Sequence, residues 1–324
     1  MATIDEVAKL AGVSKATVSR VINNSANVNE ETRAKVLSAI EKLKFKPKFS
    51  AKALAKSKKQ FNIAICLGKR MELIKDSTDE IGQFYGIILK EIKGMATFYG
   101  INVKEIILEN PEENFDGYIL VGGDVTKNIL ELYKNFKKPL ILLDHYIPGE
   151  KIDSILPDSF SGAFYAVNYL IKKGMKKIVH IHGPLNSYGF RNRYNGYTEA
   201  MMLSKLKPIY YKYDDVRNNM DEVIKLLIKN NDMPQAIFAS NDITAIRVIE
   251  ELKKYNIKIP EDISVVGFDD IPKAKKYKLT TVKVYKQEMG NVAFKRLYEL
   301  MLGENTHPIR MSLFTEFIKR KSSK

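Results

Sequence analysis

Hydrophobic positions near the N-terminus recur at helical spacing in three short blocks. The first block begins after Thr3, which forms a capping-box pattern with Glu6. The second begins after Ser14, beyond Gly12, a residue able to adopt the positive φ that ends a helix. The third begins after Asn29. The apolar stripes are Ile4, Val7, Ala8 and Ala11; Val18, Val21 and Ile22; and Val36, Ala39, Ile40 and Leu43. They predict a three-helix unit, although periodicity alone fits an unrelated three-helix bundle equally well.

Beyond residue 61 the pattern changes to short, nearly all-apolar runs that alternate with longer helical patterns. Such runs are typical of parallel strands covered on both faces by helices. Strands are predicted at 61–67, 103–108, 118–121, 140–143, 177–182, 236–239 and 263–268, and helices near 84–98, 126–136, 161–173, 190–203, 219–230 and 242–255. There are too many repeats for one layer. We therefore predict an α/β core of two doubly wound parallel-sheet subdomains, with ligands at the carboxyl ends of the strands.

A lysine-rich segment separates these two parts. Pro47 stops the third helix, and residues 49–59 contain good helix formers without the apolar stripe of a packed helix. A helix this short is not stable alone, so its helicity depends on a partner. The predicted organisation is a head at 1–46, a hinge or linker at 47–60 and a core at 61–324.

Charge is concentrated in the head. The chain carries a net charge of +15, of which residues 1–59 carry +8 and the other 265 residues only +7. The N-terminus lacks the features of a secretion signal, and no apolar run is long enough for a membrane span. The single cysteine, Cys66, lies in an apolar run, which predicts a small, buried apolar side chain. We therefore expect a cytoplasmic protein without membrane association.

The polar face of the second predicted helix has the profile of a helix that enters the DNA major groove. Lys15, Ala16, Thr17, Ser19 and Arg20 are small or hydrogen-bonding, with two cations and no acid. A groove about 12 Å wide accepts such a face and offers base edges and phosphates to its donors.

The residue identities add a resemblance that covers essentially the whole chain. In the head, residues 5–8, 11–14 and 16–23 resemble the lactose-repressor family of transcription regulators almost position for position. In the core, the matching segments are 115–117, 181–184, 193–197, 239–242, 263–270, 279–282 and 319–322. The resemblance implies a core with the fold of periplasmic sugar-binding proteins, whose chain crosses three times between subdomains. Subdomain one would comprise about 61–158 and 286–312, and subdomain two about 159–285 and 313–324.

The same resemblance implies a homodimer bound to a pseudo-palindromic double-stranded DNA operator. Lys15, Ala16 and Arg20 would face base edges, and Leu54 of a hinge helix would enter the minor groove. Lys52 stands where the family usually has Arg. The complete set of predicted DNA-binding residues is Ser14, Lys15, Ala16, Thr17, Ser19, Arg20, Asn27, Thr32, Lys52 and Leu54.

A small-molecule effector is the second partner that the resemblance implies. Arg193, Asn241 and Asp269 follow predicted strands or begin helices, and they combine a planar cation, an amide and a carboxylate, as a polyol ligand requires. Asp158 is a weaker candidate because helix capping explains it equally well. The predicted effector-binding set is Tyr85, Asp158, Arg193, Asn241, Asp269 and Tyr285.

These observations predict a repressor of a carbohydrate-utilisation operon that is released by a sugar. Residues 109–117 are too few for the helix that the family usually has there, and residues 281–285 lack its Gln-Pro pair. Both features resemble the galactoside-operon subgroup. The alternatives are a corepressor or other non-sugar ligand, a sugar-binding protein without regulatory output and a sugar-modifying enzyme. We expect no enzyme activity, cofactor or metal, because catalytic motifs are missing and only His180 and His182 share a strand face.

Overall fold

The computed structural model describes residues 3–22, 28–43, 60–68, 80–213, 219–229 and 233–324. The helices are α1 (Ile4–Ala11), α2 (Lys15–Ile22), α3 (Glu30–Leu43), α4 (Glu80–Tyr99), α5 (Lys127–Lys134), α6 (Ser159–Lys172), α7 (Tyr188–Leu203), α8 (Met220–Lys229), α9 (Asp242–Lys254), α10 (Pro272–Lys276) and α11 (Lys286–Met301). The strands are β1 (Asn62–Leu67), β2 (Asn102–Ile107), β3 (Gly117–Val121), β4 (Leu140–Leu143), β5 (Asp153–Pro157), β6 (Ile178–His182), β7 (Ile209–Lys212), β8 (Ala236–Ala239), β9 (Ser264–Val266), β10 (Thr281–Lys283), β11 (Arg310–Leu313) and β12 (Glu316–Ile318).

The three head helices form where the apolar pattern and the caps predict them. The side-chain oxygen of Thr3 accepts from the Glu6 amide, while the Glu6 carboxylate accepts from the Thr3 amide at 2.7 Å. Gly12 ends α1 with φ 66°, and Ser14 Oγ accepts from the Thr17 amide at 3.1 Å. Asn29 Oδ1 accepts from the Thr32 amide at 2.7 Å. Most of the predicted stripe residues are buried together, namely Val7, Ala8, Ala11, Val18, Val21, Ile22, Val36, Ala39 and Ile40.

The core contains a six-stranded and a four-stranded parallel sheet. The first has the order β11-β5-β4-β3-β1-β2, and the second has the order β7-β6-β8-β9. A two-stranded antiparallel ribbon joins β10 to β12. The chain passes between the two parts after β5, after β10 and after β11. The predicted fold class is confirmed, while the exact subdomain limits stay a prediction.

The strands that the sequence did not predict lie mostly at edges or crossings. β7 and β11 are edge strands, β10 and β12 form the two-stranded ribbon, and the unpredicted β5 lies inside the six-stranded sheet. Helix α11 also escaped prediction, because Lys286, Asn291 and Arg296 are buried on it and interrupt its apolar stripe. Arg296 Nε donates to Asp153 Oδ1 at 2.6 Å, which satisfies both buried charges. Residues 108–116, between β2 and β3, contain no helix, as expected from their length.

Helices α4 and α11 pack closely against each other, and both contact the head. A Cβ added to Gly290 of α11 would lie 2.6 Å from the Ile88 carbonyl oxygen of α4. Phe98, near the end of α4, is buried in the apolar cluster of the head. Arg33 of α3 lies 3.8 Å from a Glu91 oxygen of α4 and 3.7 Å from a Glu288 oxygen of α11. The head therefore contacts both helices.

None of the helices in the described ranges could span a membrane.

Replacement of Gly290 by alanine tests this close approach. We expect Gly290→Ala to lower the free energy of unfolding by roughly 1–3 kcal/mol, because the added methyl group would force the two helices apart. Gly94→Ala is the matched control on α4, since a Cβ there meets nothing within 4 Å; it should be neutral or stabilising by up to about 1 kcal/mol. Chemical denaturation of both variants measures the difference, and equal stabilities would contradict the close contact between α4 and α11.

Candidate functional site

A cavity of about 240 Å³ lies between the two sheets, at the carboxyl ends of their strands. The first subdomain contributes Phe84, Tyr85, Gly123, Asp124 and Asp144. The second contributes Gly183, Pro184, Asn186, Ser187, Gly189, Phe190, Arg193, Tyr213, Asn241, Ile243, Thr244 and Asp269. This is the position at which open α/β sheets bind ligands, because strand ends and helix starts converge there.

Arg193 is fixed by contacts on three sides. It lies on α7 and is 5% exposed. Its Nη1 donates to the Ser240 carbonyl oxygen at 2.6 Å, and its Nη2 donates to Asp269 Oδ1 at 2.9 Å. The guanidinium carbon lies 4.0 Å from the ring centroid of Phe268, a cation–π distance. Arg193 Nε has no hydrogen-bond partner within the described part of the chain. Such unpaired buried donors are uncommon in folded proteins.

Asp269 is held in an uncommon backbone conformation three residues after the end of β9. Its φ is 110°, in a region that residues with a side chain rarely adopt. Its backbone amide donates to the Val282 carbonyl oxygen at 2.7 Å. Burial raises the pKa of its carboxyl, while the charges of Arg193 and Lys286 oppose that rise. A carboxylate held this way can still accept a hydrogen bond on the oxygen that Arg193 leaves unused.

Asn241 is both a helix cap and a lining residue. Its Oδ1 accepts from the Thr244 amide at 2.8 Å at the start of α9. The capping bond fixes the amide plane, so the –NH2 group is the donor that a ligand can use.

Asp144 and Tyr85 form the polar part of the opposite wall. The Tyr85 hydroxyl donates to Asp144 Oδ2 at 2.7 Å. Burial is the main cause that raises the pKa of Asp144 to about 6, although the Tyr85 hydrogen bond and the Arg193 charge lower it. Asp124 supplies a third carboxylate to the cavity. The wall is therefore rich in hydrogen-bond acceptors.

The structure brings together four of the six predicted effector residues, namely Tyr85, Arg193, Asn241 and Asp269. Asp158 does not line this cavity: its Oδ1 accepts from the Ser161 amide at 3.1 Å as the cap of α6, and it borders a smaller cleft. Tyr285 does not line it either, because its hydroxyl donates to Glu316 Oε2 at 2.7 Å, beside β12. Neither position supports a direct ligand contact in this cavity.

Several lining residues were missed by the sequence analysis. Asp144 and Tyr213 directly follow β4 and β7, and Asp124 lies three residues after β3. The carboxyl-end rule that selected Asp269 could have found them. Phe190 stands on α7 one turn before Arg193 and carried no comparable signal.

The predicted DNA-contacting face of α2 is solvent-accessible. Ser14, Lys15, Ala16 and Arg20 are exposed, while Thr17, Ser19 and Thr32 are half-buried. Lys15 Nζ forms an ion pair with Asp5 of α1, which the sequence did not indicate. Both side chains are more than half exposed, so a phosphate can displace this weak pair. The remaining predicted contacts, Asn27, Lys52 and Leu54, lie outside the described residues.

Two family models match separate parts of the chain. "Bacterial regulatory proteins, lacI family" matches residues 3–48, and "Periplasmic binding protein-like domain" matches residues 167–323. The HTH-type transcriptional repressor PurR of Histophilus somni is 31% identical over 340 residues, an alignment that covers 100% of this chain and 99% of the relative.

The chain belongs to the LacI family. Members of this family are transcription regulators, not enzymes, which excludes the enzyme alternative. A CelR–cellobiose complex shares the fold with a TM-score of 0.71 at 24% identity, over 99% of this chain and 100% of the other. A lac repressor dimer bound to operator and the anti-inducer ONPF shares the fold with a TM-score of 0.69 at 24% identity. The alignment covers 99% of this chain and 98% of the other. Among the described residues, no group of three or more His, Cys, Asp or Glu could hold a metal ion.

The raised pKa of Asp144 allows the burial of its carboxyl group in the cavity wall to be tested without a ligand. Because folding raises this pKa from 3.8 to about 6, the charged carboxylate destabilises the native state above pH 6, and the penalty disappears as the pH falls below 4. Asp144→Asn should therefore be more stable than wild type by up to about 3 kcal/mol at pH 8. The two proteins should converge near pH 4. Denaturant titrations across this range measure the difference, and a pH-independent offset would contradict the assignment.

Proposed function

We propose that this LacI-family regulator is a cytoplasmic homodimeric repressor of a carbohydrate-utilisation operon, and that a sugar in the cavity lowers its affinity for operator DNA. The observation that carries the proposal is the composition of the cavity. Three carboxylates, Asp124, Asp144 and Asp269, face a space that also contains the guanidinium of Arg193 and the amide of Asn241. Carboxylates accept hydrogen bonds from pairs of hydroxyl groups, which a sugar provides in abundance.

The size of the cavity favours a monosaccharide over a disaccharide. Its volume of about 240 Å³ is below the range of roughly 300–1,000 Å³ that drug-sized ligands occupy. Phe84 and Phe190 offer flat apolar surfaces to a sugar ring. The solved CelR structure contains cellobiose, so the fold accommodates carbohydrate. The resemblance to the galactoside-operon subgroup, which rests partly on the lack of a helix in residues 108–116, makes galactose and its small glycosides the first candidates.

The DNA-binding half of the proposal assigns α2 to the major groove. Lys15, Ala16 and Arg20 would contact base edges, while the neighbouring hydroxyl side chains would hold the phosphate backbone. One helix reads too few base pairs for useful specificity, which favours two heads on a pseudo-palindromic operator. The lac repressor relative is a dimer on its operator. Leu54 and Lys52 of the linker would contact the central minor groove.

Replacement of Arg20 by alanine tests the docking of α2. Against an operator selected from a random duplex pool, we expect Arg20→Ala to weaken binding by roughly 1–3 kcal/mol and to relax base preference. Lys35→Ala is the control, because Lys35 is exposed on α3 and pairs with Glu31 at 2.7 Å. Fluorescence anisotropy on matched and altered duplexes measures both effects. Equal losses for the two variants, with base preference retained, would contradict the docking.

Calorimetry with a ligand panel tests the effector proposal. D-galactose, methyl β-D-galactoside, D-glucose and guanine are titrated into wild type, Asp269→Ala and Asp221→Asn. Asp221 is a half-exposed control carboxylate on α8 that does not line the cavity. We expect a galactoside to bind wild type and the control, and Asp269→Ala to lose at least about tenfold in affinity. The bound sugar should also weaken operator binding, since a ligand shifts that equilibrium by its differential affinity for the two states. Guanine binding without sugar binding would favour the non-sugar alternative.

A further inference from the structure

Lys286 is a buried lysine beneath the cavity, and it does not line the cavity itself. It is the first residue of α11, immediately after the crossing from β10, and only 4% of its surface is exposed. Its Nζ donates to three backbone carbonyl oxygens: those of Asp269 at 2.5 Å, Asp270 at 3.2 Å and Val284 at 3.2 Å. All three protons of the ammonium are thus used by the backbone.

Two of these carbonyl groups belong to an uncommon stretch of backbone. Asp269 has φ 110° and Asp270 has φ 50°, so two consecutive residues with side chains lie in the left-handed region. Such conformations cost energy and persist only where surrounding contacts determine them. The Lys286 ammonium contacts both carbonyl groups and is therefore one of the contacts that stabilise this turn.

The turn directs the Asp269 carboxylate toward Arg193 and the cavity. The position of Asp269 Oδ1, 2.9 Å from Arg193 Nη2, requires the backbone of residue 269 to remain where it is. Lys286 Nζ also lies 5.7 Å from the ring centroid of Phe84, a lining residue on α4. One ammonium group therefore contacts the turn of the second subdomain and a wall residue of the first.

Charge supports the same assignment. Lys286 faces the carboxyl groups of Asp242, Asp269 and Asp270, and Lys283 is the neighbouring cation. Asp269 is also paired with Arg193, and Asp270 with Arg320, whose Nη2 lies 2.6 Å from Asp270 Oδ1. Burial lowers the pKa of Lys286, and the three carboxyl groups oppose that effect. The lysine is therefore a counter-charge shared by a buried acidic cluster.

We propose that Lys286 is the positioning residue of the effector site: its ammonium holds the turn at residues 269–270 and so aims the Asp269 carboxylate at the ligand. This assignment deepens the proposed function, because it gives the sugar site a residue that acts through Asp269. Lys286 does not itself touch the ligand.

The test uses the full chain with Lys286→Met, Lys286→Arg and Lys295→Met. Lys295 lies on the same helix and is half-buried, so its replacement makes the same chemical change away from the turn. The amides of Asp269 and Ile271 report on the turn, because they donate to the Val282 carbonyl oxygen and to Asp242 Oδ2. We expect Lys286→Met to speed their hydrogen exchange on the order of tenfold or more, with Lys286→Arg in between and Lys295→Met unchanged.

A pH series separates positioning by charge from simple packing. Burial raises the pKa of the Asp242 and Asp269 carboxyl groups, and the charge of Lys286 opposes that rise. Without the ammonium, the ionised forms of these two groups lose a counter-charge, so the loss of Tm in Lys286→Met should be larger at pH 8 than at pH 5. A lysine that only fills space would give the same loss at both pH values. Wild-type exchange in Lys286→Met, or a pH-independent loss of Tm, overturns the proposal.

D-galactose is the probe for the binding arm. We expect Lys286→Met to weaken galactose binding roughly tenfold, with partial recovery in Lys286→Arg. Galactose binding at wild-type affinity in Lys286→Met overturns the positioning role. If exchange and pH dependence behave as expected but wild type binds no galactose, the galactose assignment fails and the role of Lys286 in holding Asp269 stands.

Discussion

The buried pair between Arg193 and Asp269 is the interaction on which the rest of the site depends. Removing two charges from water is costly, and their attraction offsets more of that cost when other donors and acceptors of the pair are also satisfied. Here the Ser240 carbonyl oxygen, the Phe268 ring and the Lys286 ammonium surround the pair. Helix α7, the end of β8 and the turn after β9 are thereby fixed relative to one another, and they form a rigid floor for the cavity.

The opposite wall is held in a different way. Asp144 belongs to the first subdomain, and its described hydrogen bond comes from the Tyr85 hydroxyl, a neutral donor. Its pKa of about 6 means that its charge responds to what enters the cavity, because a ligand hydroxyl that donates to the carboxylate favours the ionised form. A hydroxyl-rich ligand that bridges Asp144 and Asp269 gains most when the two subdomains are at one particular separation. This preference is the differential affinity on which an effector depends.

The sequence predicted the parts of this structure that repeat a simple pattern. Apolar stripes located the head helices, and all-apolar runs located most strands of the two sheets, but not β5, which lies between β4 and β11. The same reasoning failed for α11, whose buried face includes Lys286, Asn291 and Arg296, since a pattern of apolar positions cannot show that a polar side chain has found buried partners. The same reasoning also grouped Asp158 with Asp269, because both residues follow strands. Only the tertiary structure shows that one carboxylate caps a helix while the other faces the cavity.

Helices α4 and α11 connect the cavity to the head. The first turns of α4 carry Phe84 and Tyr85 into the cavity, and its last turn carries Phe98 into the apolar cluster of the head, about 20 Å away at 1.5 Å per residue. Helix α11 begins at Lys286 under the cavity and reaches Arg33 of the head through Glu288. The close contact at Gly290 leaves the two helices little freedom to move independently. A change in subdomain separation that displaces the cavity end of α4 therefore displaces the surface on which the head rests.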